Sequence, residues 1–330
     1  MNQQVEAKLK LFTENFYSIR DEFAWHEPMA KRLSALVYTL ADKPVDSGRI
    51  REGHNLIKSQ VGAFSNFRGM LSVYMAAALS LSGEPEKVLS ETLYVYDLLK
   101  EQRFWGSDFL VVTAYEIATN ANRVDFERMA ERTRGFYDEM KANHRFQVGS
   151  DDYIFSAMLA LSGLDVHHGA NILKGIFIRL RESFGRFTNK NSLLTLAQML
   201  TLSGNKDECV QYIAKLSHAL RKRKLKLDNA YTLPSLAVLS MLNMDHTMLA
   251  DEITEARDFL RSQKQFGGFS VSIHELMLYV VALMTHTHIG EAQKNVTQAS
   301  VTTSVTNLII AQQVAIMASI GVVAAGASGC

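Results

Sequence analysis

The chain has 330 residues, 47% hydrophobic and 21% charged, which suits a folded protein with a sizeable core and excludes disorder and a collagen-like chain. Its 35 basic and 34 acidic side chains leave a formal charge of +1, so no global field draws it to nucleic acid or membrane, and any such binding must be local. Two cysteines, Cys209 and Cys330, make a disulfide scaffold untenable, and the start MNQQVEAKLK lacks the apolar stretch of a signal peptide, so a cytoplasmic location is expected.

Residues 3–22 place Leu9, Phe12, Phe16 and Ile19 at steps of three and four, which predicts an amphipathic lead-in helix covering the first of a series of units. From there a phenylalanine recurs at Phe23, Phe64, Phe104, Phe146 and Phe187, lapses to Leu227 and returns at Phe266, at spacings of 39 to 42 residues. A fixed period of that length marks stacked helical hairpins, none of which can bury its apolar face alone. Small-residue turns fall midway, at Ser82-Gly83, Asn120-Ala121-Asn122, Ser162-Gly163, Ser203-Gly204 and Asn243.

Each midway turn separates an apolar first helix from a more charged second one. The second helices carry stripes such as Phe126, Met129, Thr133, Phe136 and Met140, or Leu249, Ile253, Ala256 and Leu260, at helical spacing. Cys209 falls on such a stripe with Ile213, Leu216 and Leu220 and reads as a buried thiol. No stretch alternates with period two. The predicted fold is all-α, a helical-hairpin repeat wound as an α/α superhelix or a toroid-like solenoid. Residues 1–290 form one repeat domain of about seven hairpins beginning at residue 23. Residues 291–330 form an apolar tail, uncharged from Asn295 onward, that reads as a packing helix with a disordered end. Its 308–325 segment is at the short, polar edge of a membrane helix, leaving tail-mediated membrane association as an alternative to packing.

Among residues that could carry chemistry, His144 to Tyr153 is the sharpest stretch, because adjacent Asp151 and Asp152 with a nearby histidine could share a proton or hold a metal. The same residues read as helix caps. Ser65-Asn66, Ser107-Asp108 and Asn189 follow other refrains in the same way, and that recurrence favours capping. The basic run Arg221 to Lys226 exaggerates a pattern in which second helices end on cations, so it supports no nucleic-acid partner. His286-Thr287-His288 and His167-His168 lack the further ligands a metal needs, and neither metal nor cofactor is expected. Phosphate-loop, dinucleotide, zincin and nucleophile-elbow motifs are absent from the sequence.

Gln263-Lys264-Gln265-Phe266-Gly267-Gly268-Phe269 is similar to the Q-x-x-x-G-x-W turn of terpene-cyclase-like α/α toroids, with Phe269 at the usual tryptophan. The acidic motifs of those enzymes fail here: Gly149 stands where D-x-D-D needs its first aspartate, and Phe155 where D-D-x-x-D needs its last. Phe64-Ser65-Asn66-Phe67-Arg68, the His144 to Tyr153 stretch and the Phe187 to Leu202 segment resemble a bacterial, mainly Firmicute family known as a domain of unknown function, number four thousand and three (DUF4003). Members have proline where Asn66 and Arg145 stand. The resemblance implies no activity, but it draws attention to Phe64, Phe67, Arg68, His144, Asp151, Asp152 and Tyr153 as ligand- or partner-binding residues on neighbouring loops of one edge. Alternatively the aromatics plug gaps between units and Arg68 pairs with a capping acid.

The expected function is that of a binding scaffold for a protein, peptide or small ligand. An enzyme with a site in a toroid cavity near Asp151 and Asp152 is the alternative.

Overall fold

A computed structural model describes residues 1–185, 188–204, 207–225, 227, 232–242, 244–293, 307 and 309–314, without the side chains of 207, 208 and 291–293. Every regular element among the described residues is helical. The α-helices run α1 (Gln3–Glu22), α2 (Pro28–Leu40), α3 (Ser47–Gln60), α4 (Ser72–Leu81), α5 (Pro85–Glu101), α6 (Asp108–Asn120) and α7 (Phe126–Asn143). They continue as α8 (Tyr153–Leu161), α9 (Val166–Phe184), α10 (Lys190–Leu202), α11 (Asp207–Lys222), α12 (Ser235–Ser240), α13 (His246–Ser262) and α14 (Ile273–Gln293). The refrain position Phe187, the turn residue Asn243 and most of the tail lie outside the described residues.

The chain divides into two compact units, a C-terminal one formed by Asn171–Gln312 with Met1–Thr13, and an N-terminal one built on Glu14–Ala170. In the N-terminal unit, α4 and α8 are apolar on all sides (SVYMAAALSL, YIFSAMLAL) and almost wholly buried. A helix without a polar face must be covered all round. The charged helices supply that cover, burying only one stripe each; on α7 it is Phe126, Met129, Thr133, Phe136 and Met140, as the spacing predicts. Each such side chain stabilises the fold by about 1.5–3 kcal/mol on burial.

The most extensive pairs are α3 with α4, α5 with α6 and α7 with α8, so the tightly packed hairpins have the refrain as their turn. The sequence reading places the refrain between hairpins. The phase differs because a glycine lets α3 lie close on α4, where a Cβ on Gly53 would come within 2.8 Å of Ala76 O, while the refrain rings reach on to the next pair, Phe67 to Tyr96 of α5 and Phe104 to Tyr137 of α7.

The refrain rings are turned inward by different backbone routes: Phe23 is buried by continuing α1, its N–H bonding Ile19 O at 2.9 Å. Arg103 adopts φ 63°, the left-handed stop of a helix, and the Phe104 N–H bonds back to Leu99 O at 3.2 Å, which turns the Phe104 ring into the core. α13 ends on extended Gln263, and in the turn that follows Gln265 takes φ 64° ahead of buried Phe266, whose N–H bonds Gln263 O at 3.1 Å. α3 instead ends on extended Val61, and α7 ends on His144 at φ −139°. Phe64 and Phe146 point outward, contrary to a plug at every station. A 3-10 turn at Asn66–Arg68 delivers Phe67 inward in place of Phe64.

In the C-terminal unit, α13 packs on α14, α12 on α14 and α11 on α13. Leu249, Ile253, Ala256 and Leu260 are all fully buried. Phe12 meets Phe266 and Tyr279 at ring-centroid distances of 5.6 and 5.1 Å. Glu252 accepts from Asn2 N at 3.0 Å and lies 2.8 Å from His288 Nε2. Cys209 is half-buried, not buried as its stripe suggests, because Val210 takes the core position beside Ile213. Arg223, within the basic run, bonds Asp251 and so ties α11 to α13. Ile309 to Gln312 are buried and Gln312 Nε2 donates to Ser235 Oγ at 2.6 Å; most of the remaining 308–325 segment is outside the described residues. No helix among the described residues is long and apolar enough to cross a membrane.

Candidate functional site

The refrain turns of the N-terminal unit lie at residues 23–27, 61–71, 102–107 and 144–152, between α1 and α2, α3 and α4, α5 and α6, and α7 and α8. Direct contacts string them into one edge. The His26 ring stacks edge-on against His54 of α3 at 5.3 Å, one helical turn before Lys58. Tyr96 of α5 donates to Asn66 Oδ1 at 2.9 Å and sets its ring against Phe67 at 5.2 Å. The Asp108 carboxylate accepts the Met70 N–H, with Gly69 so close that a Cβ there would lie 2.0 Å from Asp108 Oδ1. Arg134 of α7 donates to the carbonyls of Gln102 and Arg103 at 3.4 and 3.3 Å.

The fourth turn closes on an aromatic triangle. Phe104, Tyr137 and Tyr153 meet pairwise at centroid distances of 4.8, 5.2 and 5.5 Å, and the Arg134 guanidinium lies over Phe104 and Tyr137 at 5.4 and 5.5 Å. Burial, and then the neighbouring Tyr153 and Asp152, push the Tyr137 hydroxyl up to about 12.

Of the residues singled out by the sequence, Phe67, His144, Asp152 and Tyr153 are buried, Asp151 and Arg68 are half-buried, and Phe64 is fully exposed. The buried members brace the edge from beneath. Asp152 Oδ2 accepts the Gly149 N–H at 2.8 Å, and Asp151 accepts its own N–H while burial raises its carboxyl. Both acids thus satisfy N–H groups at a helix start. Arg68 Nη2 donates to the Lys58 carbonyl at 2.6 Å rather than to a capping acid. Ser65, Ser107 and Asn189 accept from Phe67, Leu110 and Ser192 N–H groups, as caps should.

What the edge presents outward is a row of rings. Trp25 is 100% exposed, Phe64 104%, Trp105 82% and Phe146 89%, one on each turn. They recur at the refrain period and include both tryptophans of the chain. Sequence reasoning passed over Trp25 and Trp105, although a signal was there: each sits within two residues of a refrain phenylalanine, in a turn where a core residue has no obvious place. Exposed Lys58, Lys100, Arg103, Lys141 and Arg145 flank the rings. Helix C-termini favour cations, which explains their recurrence.

The far ends of α6 and α8 hold a different feature, a cavity of about 430 Å³ lined by Asn120, Asn122, Asp125, Arg128 and Arg132 among others. Its polar groups largely satisfy one another: Arg128 pairs with Asp125 at 2.7 Å and Arg132 Nε donates to Ala160 O at 3.2 Å. None of the sequence-derived candidates lines it. No group of three His, Cys, Asp or Glu side chains is arranged to hold a metal ion among the described residues. His288 pairs with Glu252, and His167 Nδ1 lies 2.7 Å from Glu139.

The fold and the braced turns define an all-α helical-hairpin repeat protein. The chain belongs to the family described as "Protein of unknown function (DUF4003)", which it matches over residues 15–314. No curated protein and no solved structure matches it.

Proposed function

We propose that this protein is a binding module that engages its partner through the refrain edge of the N-terminal unit. One observation carries the reading: both tryptophans of the chain stand on that edge, 100% and 82% exposed, in step with exposed Phe64 and Phe146. Tryptophan is among the most buried residues on average, and leaving large rings in water forgoes the stabilisation that burial brings. A row of them at regular stations is the composition of an interface and not of a solvated loop.

The enzyme alternative draws less support. Asp151 and Asp152 engage local N–H groups, and His144 is buried at the C-terminal end of α7. Those are the arrangements of capping and packing.

The test is affinity capture from whole lysate, membranes included, with the native chain and a Trp25→Ala, Phe64→Ala, Trp105→Ala, Phe146→Ala variant. The reading expects the variant to lose what the native chain recovers. Identical recovery by both would contradict it.

A further inference from the structure

Resting on that reading of the edge, we infer that its partner is the surface of an anionic lipid bilayer, with Trp25, Phe64, Trp105 and Phe146 entering the headgroup region and the flanking cations meeting lipid phosphates. Two independent properties of the edge point to this occupant.

The first is charge. Within six residues of the four rings the exposed charged groups are the five cations Lys58, Lys100, Arg103, Lys141 and Arg145 against three acids, Asp21, Glu27 and Glu101. The whole chain carries only +1, so the cationic character is concentrated where the rings protrude. Anionic leaflets attract clustered Lys and Arg, and the attraction fades beyond a Debye length of about 8 Å at physiological salt, so cations must sit at the contact plane to act. The five exposed cations each lie within six residues of an exposed ring. The other titratable groups packed against the turns are spent internally: Asp108 on Met70 N–H, Asp152 on Gly149 N–H, and His26 and His54 held toward the neutral form by burial and by Lys58.

The second is the form of the apolar surface. Each ring stands on its own turn, and side-chain caps hold the backbone of the Phe64 and Trp105 turns. A protein partner engages such anchors in pockets matched one by one. A bilayer interface needs no matched pockets; it accepts any set of tips that reach one plane, and Trp is enriched at headgroup depth because its ring is apolar and its N–H still finds water or carbonyl oxygen. Surface attachment also fits a chain in which no described helix is long and apolar enough to cross a membrane.

Co-sedimentation of the full chain with vesicles decides the matter. The inference predicts binding to mixed phosphatidylcholine and phosphatidylglycerol vesicles, weaker by about tenfold on phosphatidylcholine alone and weakening as salt is raised. The four-alanine variant loses about tenfold in partitioning. A Lys100→Gln, Arg103→Gln, Lys141→Gln, Arg145→Gln variant loses the preference for the anionic vesicles. Circular dichroism of both variants should match the native chain, since all eight side chains are exposed. No sedimentation with either vesicle, or equal sedimentation of the four-alanine variant, overturns the inference. A parallel capture from membrane-cleared extract separates the two levels. Ring-dependent recovery of a soluble protein without vesicle binding overturns the lipid assignment and leaves the edge as the binding surface, whereas loss in both arms overturns both.

Discussion

Phe104 and Tyr153 meet edge to face with ring centroids 4.8 Å apart, and through this contact one refrain turn is braced on the next. The residue after Phe104 is Trp105, which faces solvent. Adjacent positions of one turn therefore face opposite ways: an inward ring that braces the next hairpin and an outward ring in solvent.

That division predicts opposite outcomes for two neighbouring truncations. Phe104→Ala removes a ring from the triangle with Tyr137 and Tyr153 and should destabilise the fold by about 3–5 kcal/mol. Trp105→Ala removes a ring that touches solvent and should stay within about 0.5 kcal/mol of the native chain. Denaturant unfolding of the two variants checks the contrast; similar losses in both would contradict it.

Gly69 is needed for close approach, not for an unusual backbone angle, since its φ is −73°. A Cβ there would lie 2.0 Å from Asp108 Oδ1 and 3.0 Å from the Asn66 carbonyl, while Asp108 is held by the Met70 N–H. Gly69→Ala should cost about 1–3 kcal/mol, the range for forcing an extra carbon into a packed site. Gly83→Ala, with nothing within 4 Å, provides the control and should be near neutral in the same thermal melts.

Glu116 is buried on α6, and burial pushes its carboxyl from an ordinary 4.5 up to about 8. Asn120 Nδ2 donates to it at 3.1 Å. The folded state keeps the proton that the unfolded chain releases, so stability falls as pH rises from 4.5 to 8. His54, lowered by burial to about 4, works in the opposite sense up to its ordinary 6.5. Between pH 6.5 and 8 the Glu116 effect stands unopposed by His54 and amounts to about 2 kcal/mol. Melting temperatures across that window should decline in the native chain and stay flat in Glu116→Gln. A parallel decline in both would refute the assignment.

Much of the architecture was legible because periodicity follows from burial. α1 spans the residues its apolar spacing marks, the stripes on α7 and α13 are buried position for position, and Ser65 and Ser107 cap where they should. The sense of each refrain ring was not legible. It depends on the backbone of each turn: Arg103 and Gln265 take left-handed angles ahead of buried Phe104 and Phe266 without being glycine, whereas Phe23 is buried by continuing α1. The candidate residues lie on one edge, some buried and some exposed. Tyr153 and Phe67 are buried braces, while Trp25 and Trp105, which the period alone does not single out, are exposed. Period alone cannot assign inside from outside in a turn, where side-chain direction follows backbone stops and not a helical or strand repeat.

The edge carries its own reporter, since both tryptophans of the chain stand on it and are exposed. Tryptophan emission during titration with mixed phosphatidylcholine and phosphatidylglycerol vesicles therefore reads the proposed contact with no background from the core. The account predicts a saturable blue shift as Trp25 and Trp105 leave water, reversed by added salt. Emission that stays at its solvent-exposed maximum throughout the titration would contradict it.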